Sequence, residues 1–209
     1  MYLVVRRGAV EVLEEAAVLA GAASVRCLRR FAEDEAWQGA IEAWKARPGK
    51  VTLRARGGQW DQVLREEDFA YAGDLDAGAA VLALPPRRRS TRSETLMKLQ
   101  AMASELEPLP VVEDIPATGD PSELVFVVNP AVEMSSGKTM AQVAHAATGA
   151  AATGRVEAWV AGGCKARVVV PKTKDLFEQA CRDDRLVAKV EDAGLTEVPP
   201  GTITVLALD

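Results

Sequence analysis

The sequence is poor in the residues that build redox and metal sites. It has three cysteines, Cys27, Cys164 and Cys181, and no CxxC pair among them. An odd, scattered set of this kind argues against a disulfide framework or a zinc ribbon. One histidine, His145, serves all 209 residues, which removes the usual His-rich metal sites. No apolar run approaches the ~18 residues of a membrane helix. The opening Met1-Tyr2-Leu3-Val4-Val5-Arg6-Arg7 has too short an apolar stretch before its arginines for a signal peptide. Neither sign of charge prevails: 25 Lys and Arg stand against 30 Asp and Glu, a net charge of −5. Any nucleic-acid surface must therefore be a local patch. A chain of this length buries about 70% of its unfolded surface, so its core needs neither disulfide nor metal. These features predict a soluble, cytoplasmic protein with reduced thiols and no membrane partner.

What is present falls into two similar halves. Pro85-Pro86-Arg87-Arg88-Arg89 closes a first apolar unit, residues 1–86. Residues 108–121 carry four prolines, three acids and no base, the composition of an exposed connector. Between the two breaks, Leu96, Leu99, Ala103 and Leu106 at helical spacing predict a bridging helix over 91–107. The connecting region is thus 87–121 and the second unit 122–209. Tyr2-Leu3-Val4-Val5 matches Val125-Phe126-Val127-Val128, and Ala20-Gly21-Ala22-Ala23-Ser24 matches Ala144-His145-Ala146-Ala147-Thr148. Ile41-Glu42-Ala43-Trp44, with Lys50 after it, matches Val156-Glu157-Ala158-Trp159 followed by Lys165. Val81-Leu82-Ala83-Leu84 matches Val205-Leu206-Ala207-Leu208. Both halves predict strand-helix-helix-strand-helix-strand, an internal duplication.

The halves differ in their polar residues. A strand at residues 125–128 is followed by Ser135 or Ser136, natural N-caps for a helix running to about Ala150. Lys138, Gln142 and His145 fall at i, i+4 and i+7 on one face of that helix, near the backbone N–H groups that favour an anion. In the first half Glu15, Leu19 and Ala22 stand in their places. Singly, each of the three reads as well as a surface or structural side chain. Asp192 ends an apolar run at 186–190, and Gly194 permits a turn that returns Thr196 beside it. Strand carboxyl ends are where open α/β sheets place ligands. Ser136-Gly137-Lys138-Thr139 is similar to the end of a phosphate-binding P-loop, but residues 129–134 hold no glycine to wrap a triphosphate.

Together these clusters resemble the type II peptidyl-tRNA hydrolases. The residues that carry the resemblance are Met134, Gly137-Lys138, Gln142, His145-Ala146, Trp159, Lys165, Asp192-Ala193-Gly194, Thr196 and Pro200-Gly201-Thr202. The family carries an arginine and an Asp-Leu pair where Asn129, Ala131 and Val132 stand. It also carries an arginine where this chain has Leu195. The resemblance implies an α/β fold of two similar domains, each a mixed four-stranded sheet with helices on both faces, joined by the helix and the Pro-rich linker. It implies hydrolysis of the ester between a peptide and the tRNA 3′ end, without metal or cofactor. Lys138, His145, Asp192 and Thr196 are the implied catalytic residues, and Gly137, Gln142 and Lys165 the implied substrate-binding residues. With no serine or cysteine in a triad setting, water is the expected nucleophile. Asp192 or His145 is then the base, and Lys138 and Thr196 hold the oxyanion. The alternative is a tRNA- or protein-binding module that kept the fold. Arg87, Arg88, Arg89 and Arg92 form the densest basic cluster, a candidate RNA contact. Family members typically act as homodimers; the first half stands where a partner would, which implies a monomer with an internal pseudo-dimer.

Overall fold

The computed structural model describes residues 1–103 and 106–209. The first half runs β1 (Tyr2–Arg6), α1 (Leu13–Arg30), α2 (Gln38–Ala46), β2 (Val51–Ala55), α3 (Gly58–Glu66), β3 (Ala70–Asp74) and β4 (Ala79–Leu84). The connecting region holds a short 3-10 turn, then α4 (Glu94–Lys98), β5 (Gln100–Ala101) and β6 (Val111–Val112). The second half repeats the order of the first: β7 (Glu123–Val128), α5 (Ser136–Ala152), α6 (Glu157–Ala161), β8 (Lys165–Pro171), α7 (Lys174–Ala180), β9 (Leu186–Asp192) and β10 (Thr202–Leu208).

Each half forms one mixed sheet, ordered β3-β4-β1-β2-β5 and β9-β10-β7-β8-β6. In both, the first two strands of the half pair in parallel, and the last strand pairs antiparallel with the first. Alternation sorts the side chains. Leu3 and Val5 of β1, with Leu124, Phe126 and Val128 of β7, join one inner core. Tyr2 and Val4 face α3 and α4 on one outer side, and Val125 and Val127 face α7 on the other. Period-two alternation lets each strand serve two layers.

Helices α1 and α5 fill the space between the sheets. Helix α1 lies on β3 and β4 of its own sheet and on β8 of the other, while α5 lies on β9 and β10 and on β2. Their facing surfaces are small residues, Ala16, Ala17, Ala20 and Gly21 against Ala144 and Ala147, all buried. A Cβ at Gly21 would come within 3.1 Å of the Ala147 Cβ. Backbones this close leave no room for leucine-sized knobs, which is why both helices are rich in alanine. Thr52 Oγ1 donates to Gly137 O (2.9 Å) and Val168 N donates to Glu14 Oε1 (3.2 Å), tying each second strand to the other half's helix.

Two expectations from sequence need correction. The sheets have five strands rather than four, because the connecting region adds an edge to each: β5 lies antiparallel to β2 and β6 parallel to β8. Unpaired edge groups of β2 and β8 take partners from the nearest chain available. No single helix bridges 91–107. Helix α4 ends at Lys98, Leu99 is extended at ψ 146°, and β5 follows; the stretch expected to be helical also includes Ser104 and Glu105, outside the described residues. Leu96 and Leu99 at spacing three serve burial against β2 and α3 instead. Among the described residues no helix is long and apolar enough to cross a membrane.

Candidate active site

Helix α5 starts where β7 ends, and its first turn is built for capping. Ser135 is extended (φ −60°, ψ 158°) and its Oγ accepts from Lys138 N. Glu197 then holds Ser135, accepting from its backbone N and its hydroxyl at 2.7 Å each. That pair fixes the 193–201 loop against the helix start. Gly194 sits at φ +74°, and a Cβ there would meet Pro200 at 2.5 Å, so the turn requires glycine.

These constraints place two side chains and one backbone N–H on one carboxylate, that of Asp192. Lys138 Nζ donates to Asp192 Oδ2 (2.5 Å) and to Thr196 Oγ1 (2.9 Å). Gln142 Nε2 also donates to Asp192 Oδ2 (2.8 Å), and Gly194 N donates to Oδ1 (2.8 Å). Thr204 Oγ1 donates to Gln142 Oε1 (2.6 Å), which fixes the amide so that its NH₂ faces Asp192. Burial pushes the Asp192 carboxyl up, but the bonds from Lys138, Gly194 and Gln142 outweigh it and hold it below the usual carboxylate range. Asp192 is therefore ionised at neutral pH. Three of its roughly four acceptor positions are filled, and one remains for a water.

His145 lines the same cleft, a cavity of about 400 Å³ whose wall includes Lys138, Gln142, Asp192 and Thr196. Its ring belongs to a different cluster. Trp44 of α2 lies parallel to it, centroids 6.4 Å apart, and Lys50 Nζ approaches Nδ1 at 3.3 Å. Burial pulls His145 from its ordinary 6.5 down to about 2, and repulsion from Lys50, the Met1 amine and Lys138 adds to that. The sign for stability follows: below pH ~6.5 the unfolded chain binds a proton that the folded chain refuses, so stability falls as pH falls. We expect wild type to lose up to about 1.4 kcal/mol per pH unit between pH 6 and 4.5 through this one group. His145→Gln should flatten that slope in urea titrations, and an equal slope in the variant would show that other groups govern it.

Several expected site residues lie elsewhere. A Cβ at Gly137 would meet Met102 O at 2.3 Å, so the start of α5 requires glycine for close packing. Lys165 pairs with Glu123 at the start of β7, while Asp192 pairs with Thr202 beyond the far end of β7. About six residues of strand, roughly 20 Å, separate them. Arg87 is nearly enclosed, ion-paired with Glu67 at 2.7 Å and lying over Trp37. Its buried charge is tolerated only with that partner, which withdraws it from the basic patch. Arg88 and Arg89 are exposed, and Arg92 Nε donates to Arg89 O. Nor does Lys50 match Lys165 in space. Tyr2 pairs with Val51 and Val125 with Arg167, which sets Lys50 against Ala166, one residue on.

Lys50, Trp44, Thr204 and Glu197 also belong to this neighbourhood, and none stood out as a site residue in the sequence. Thr204 and Glu197 lie in the stretch that carries the family resemblance and were within reach. Lys50 and Trp44 come from the other half, and no local spacing points to them. Among the described residues no group of three His, Cys, Asp or Glu is placed to hold a metal.

The fold and site define a mixed α/β unit with a lysine-bound carboxylate beside the helix that follows its first strand. The family model described as peptidyl-tRNA hydrolase PTH2 matches residues 122–209, and the chain belongs to that family. It is 40% identical over 94 residues to a peptidyl-tRNA hydrolase of Thermococcus onnurineus, covering 40% of this chain and 80% of that one. A peptidyl-tRNA hydrolase of Methanopyrus kandleri is 41% identical over 93 residues, 40% of this chain and 80% of its own. That of Staphylothermus marinus is 38% identical over 94 residues, with 40% and 78% covered. Residues 1–121 lie outside the family match.

Proposed function

We propose that the protein hydrolyses the ester joining a peptide to the 3′ end of tRNA. The observation that carries this reading is the Asp192 carboxylate, ionised and held between Lys138, Gln142 and the Gly194 N–H, with one acceptor position left. A water on that position attacks the ester carbonyl and passes its proton to Asp192. Lys138 and the Thr196 hydroxyl, 2.9 Å apart, face the oxygen that gains charge. Collapse breaks the bond to the ribose oxygen, which leaves with the proton that Asp192 took from the water, restoring the carboxylate. His145 resists protonation and has Nδ1 engaged, so it suits hydrogen-bond donation from Nε2 better than base catalysis. Purified protein incubated with peptidyl-tRNA tests the reading by release of free tRNA. Leu195, 86% exposed at the cleft where the family carries arginine, favours a second reading as a binding module. Tight tRNA binding without turnover is the outcome that selects it.

Residues 1–86, on this reading, are a copy that lost its polar set and took the place of a partner subunit. The shared strand order and helix starts 123 residues apart (Leu13 and Ser136) support it. Residues 87–121 then connect it to the hydrolase domain, 122–209. The protein is expected to be a monomer with one site; light scattering at micromolar concentration giving twice the chain mass would refute this. Arg88, Arg89 and Arg92 are expected to contribute to tRNA binding. They follow β4, whose Leu84 pairs with Tyr2, so they share an end of the sheet with Lys50 and the cleft. Changing all three to Gln should reduce the salt slope of tRNA binding by about 0.7–0.9 for each phosphate that is no longer neutralised. An unchanged slope would leave them as solvated surface.

A further inference from the structure

Lys50 is a lysine of the unmatched half that reaches into the cleft. It stands just before β2, half-buried, and its Nζ contacts three groups: Thr148 Oγ1 at 3.0 Å, His145 Nδ1 at 3.3 Å and the Trp44 ring at 4.5 Å. With Pro48, Gly49 and Val51 it lines the cleft that Asp192 and Thr196 also line. The contacts have a defined direction. Thr148 has one hydroxyl proton, which goes to the carbonyl of Ala144 (3.0 Å) or His145 (3.1 Å). Its oxygen therefore accepts from Lys50. Either protonation form of a lysine amine has at least two N–H bonds, enough to supply both Thr148 and His145.

We propose that Lys50 is a positioning residue of the hydrolase site, donating to His145 Nδ1 and so fixing the ring in the tautomer protonated at Nε2. This rests on the hydrolase reading of the second half. A neutral imidazole with Nδ1 engaged offers one N–H to the cleft, suited to a carbonyl or ribose oxygen of the substrate end. Without Lys50 nothing holds the proton on Nε2 or fixes the ring's orientation, and the donor aimed at the cleft is lost whenever the proton moves to Nδ1 or the ring turns. Trp44 sets the ring plane by lying parallel to it, and Thr148 holds the amine that sets the tautomer. The first half, which carries none of the family's polar set, would thus complete the site from outside.

The surroundings agree with a group kept for function. Burial pulls the Lys50 amine well below the ordinary lysine range, partly offset by Cys27. The charged groups near the pair are the Met1 amine and Lys138, and Lys189, Glu191 and Asp192 line the same cleft. The amine's hydrogen-bonding contacts are the hydroxyl and the imidazole. A lysine placed so makes a poor stabilising device, so Lys50→Met, of similar length, should melt at the same temperature as wild type or higher.

The single histidine makes the test clean, because every imidazole signal in a nitrogen-15 spectrum of the full chain is His145. In wild type the spectrum is expected to show the Nε2-protonated tautomer, with the ring still neutral down to pH 4. Lys50→Met should produce a mixture of tautomers, raise the pH at which the ring gains its second proton, and lower kcat about ten-fold or more with KM nearly unchanged. Lys50→Gln, which keeps an N–H donor, should restore part of both. A spectrum unmoved by Lys50→Met overturns the proposal, as does a moved spectrum with unchanged kcat in an active enzyme. A wild type that cannot hydrolyse peptidyl-tRNA overturns the hydrolase reading itself, and that outcome is separate from a failure of the Lys50–His145 coupling. Should Lys50→Met fail to fold, Thr148→Val removes the amine's other anchor and is expected to shift the tautomer in the same direction; no shift there is an overturning result.

Discussion

Lys138→Ala is expected to lower peptidyl-tRNA hydrolysis several hundred-fold, and Asp192→Ala to do the same. A preorganised group facing developing charge supplies about 10²–10³ in rate, or about 2.7–4 kcal/mol. Lys138 bridges Asp192 Oδ2 and Thr196 Oγ1, so its loss removes the cation from the oxyanion side and releases the hydroxyl as well. The two variants should differ in stability. Asp192 is 8% exposed, and without Lys138 it remains a buried carboxylate with neutral donors only, a defect worth about 3–5 kcal/mol. Removing Asp192 instead leaves Lys138 with an exposed route to solvent past Thr196. Thermal melts beside kinetics on folded protein at low temperature separate the two effects. A rate within ten-fold of wild type in either variant would remove the Asp192–Lys138 pair from the mechanism.

Gly21→Leu is expected to destabilise the whole protein by about 2 kcal/mol by straining the packing between the halves. Even a Cβ at this position stands 3.1 Å from the Ala147 Cβ. A leucine must push α1 from α5, and overpacking a tight core costs about 1–3 kcal/mol, with more where backbones meet. Exchanging glycine for leucine inside a helix returns somewhat under about 1 kcal/mol of propensity, so strain prevails. The inner core contains residues of both sheets, from Leu3 and Val5 to Phe126 and Val205. Unfolding should therefore be a single transition, seen at one midpoint by Trp60 in the first half and Trp159 in the second, in single-tryptophan versions of the chain. Two midpoints, or a shift confined to Trp60, would show two independent domains.

The sequence by itself determined the elements that short-range physics controls. Strand β7 follows from an apolar run, the start of α5 from a serine cap, and the turn at Gly194 from a backbone that excludes a Cβ. The like order of elements in the two halves was legible because apolar runs mark buried strands and helices whatever polar residues lie between them. Lys138 and Gln142 were legible together from helix periodicity, and Asp192 and Thr196 from one turn; that the two clusters form one site is what the family resemblance implied. The tertiary structure decided the rest. Strand β5 and strand β6 exist because open sheet edges recruit backbone partners, a demand that two-residue segments do not announce in their side chains. Arg87 left the basic cluster because Glu67 and Trp37 enclose it, and Lys165 left the site because strand register puts it at the far end of the sheet. Lys50 came to His145 because two alanine-rich helices pack closely enough to carry β2 of one half onto α5 of the other. Such a contact depends on how two layers meet in space, and a separation of 95 residues along the chain leaves no periodicity from which to read it.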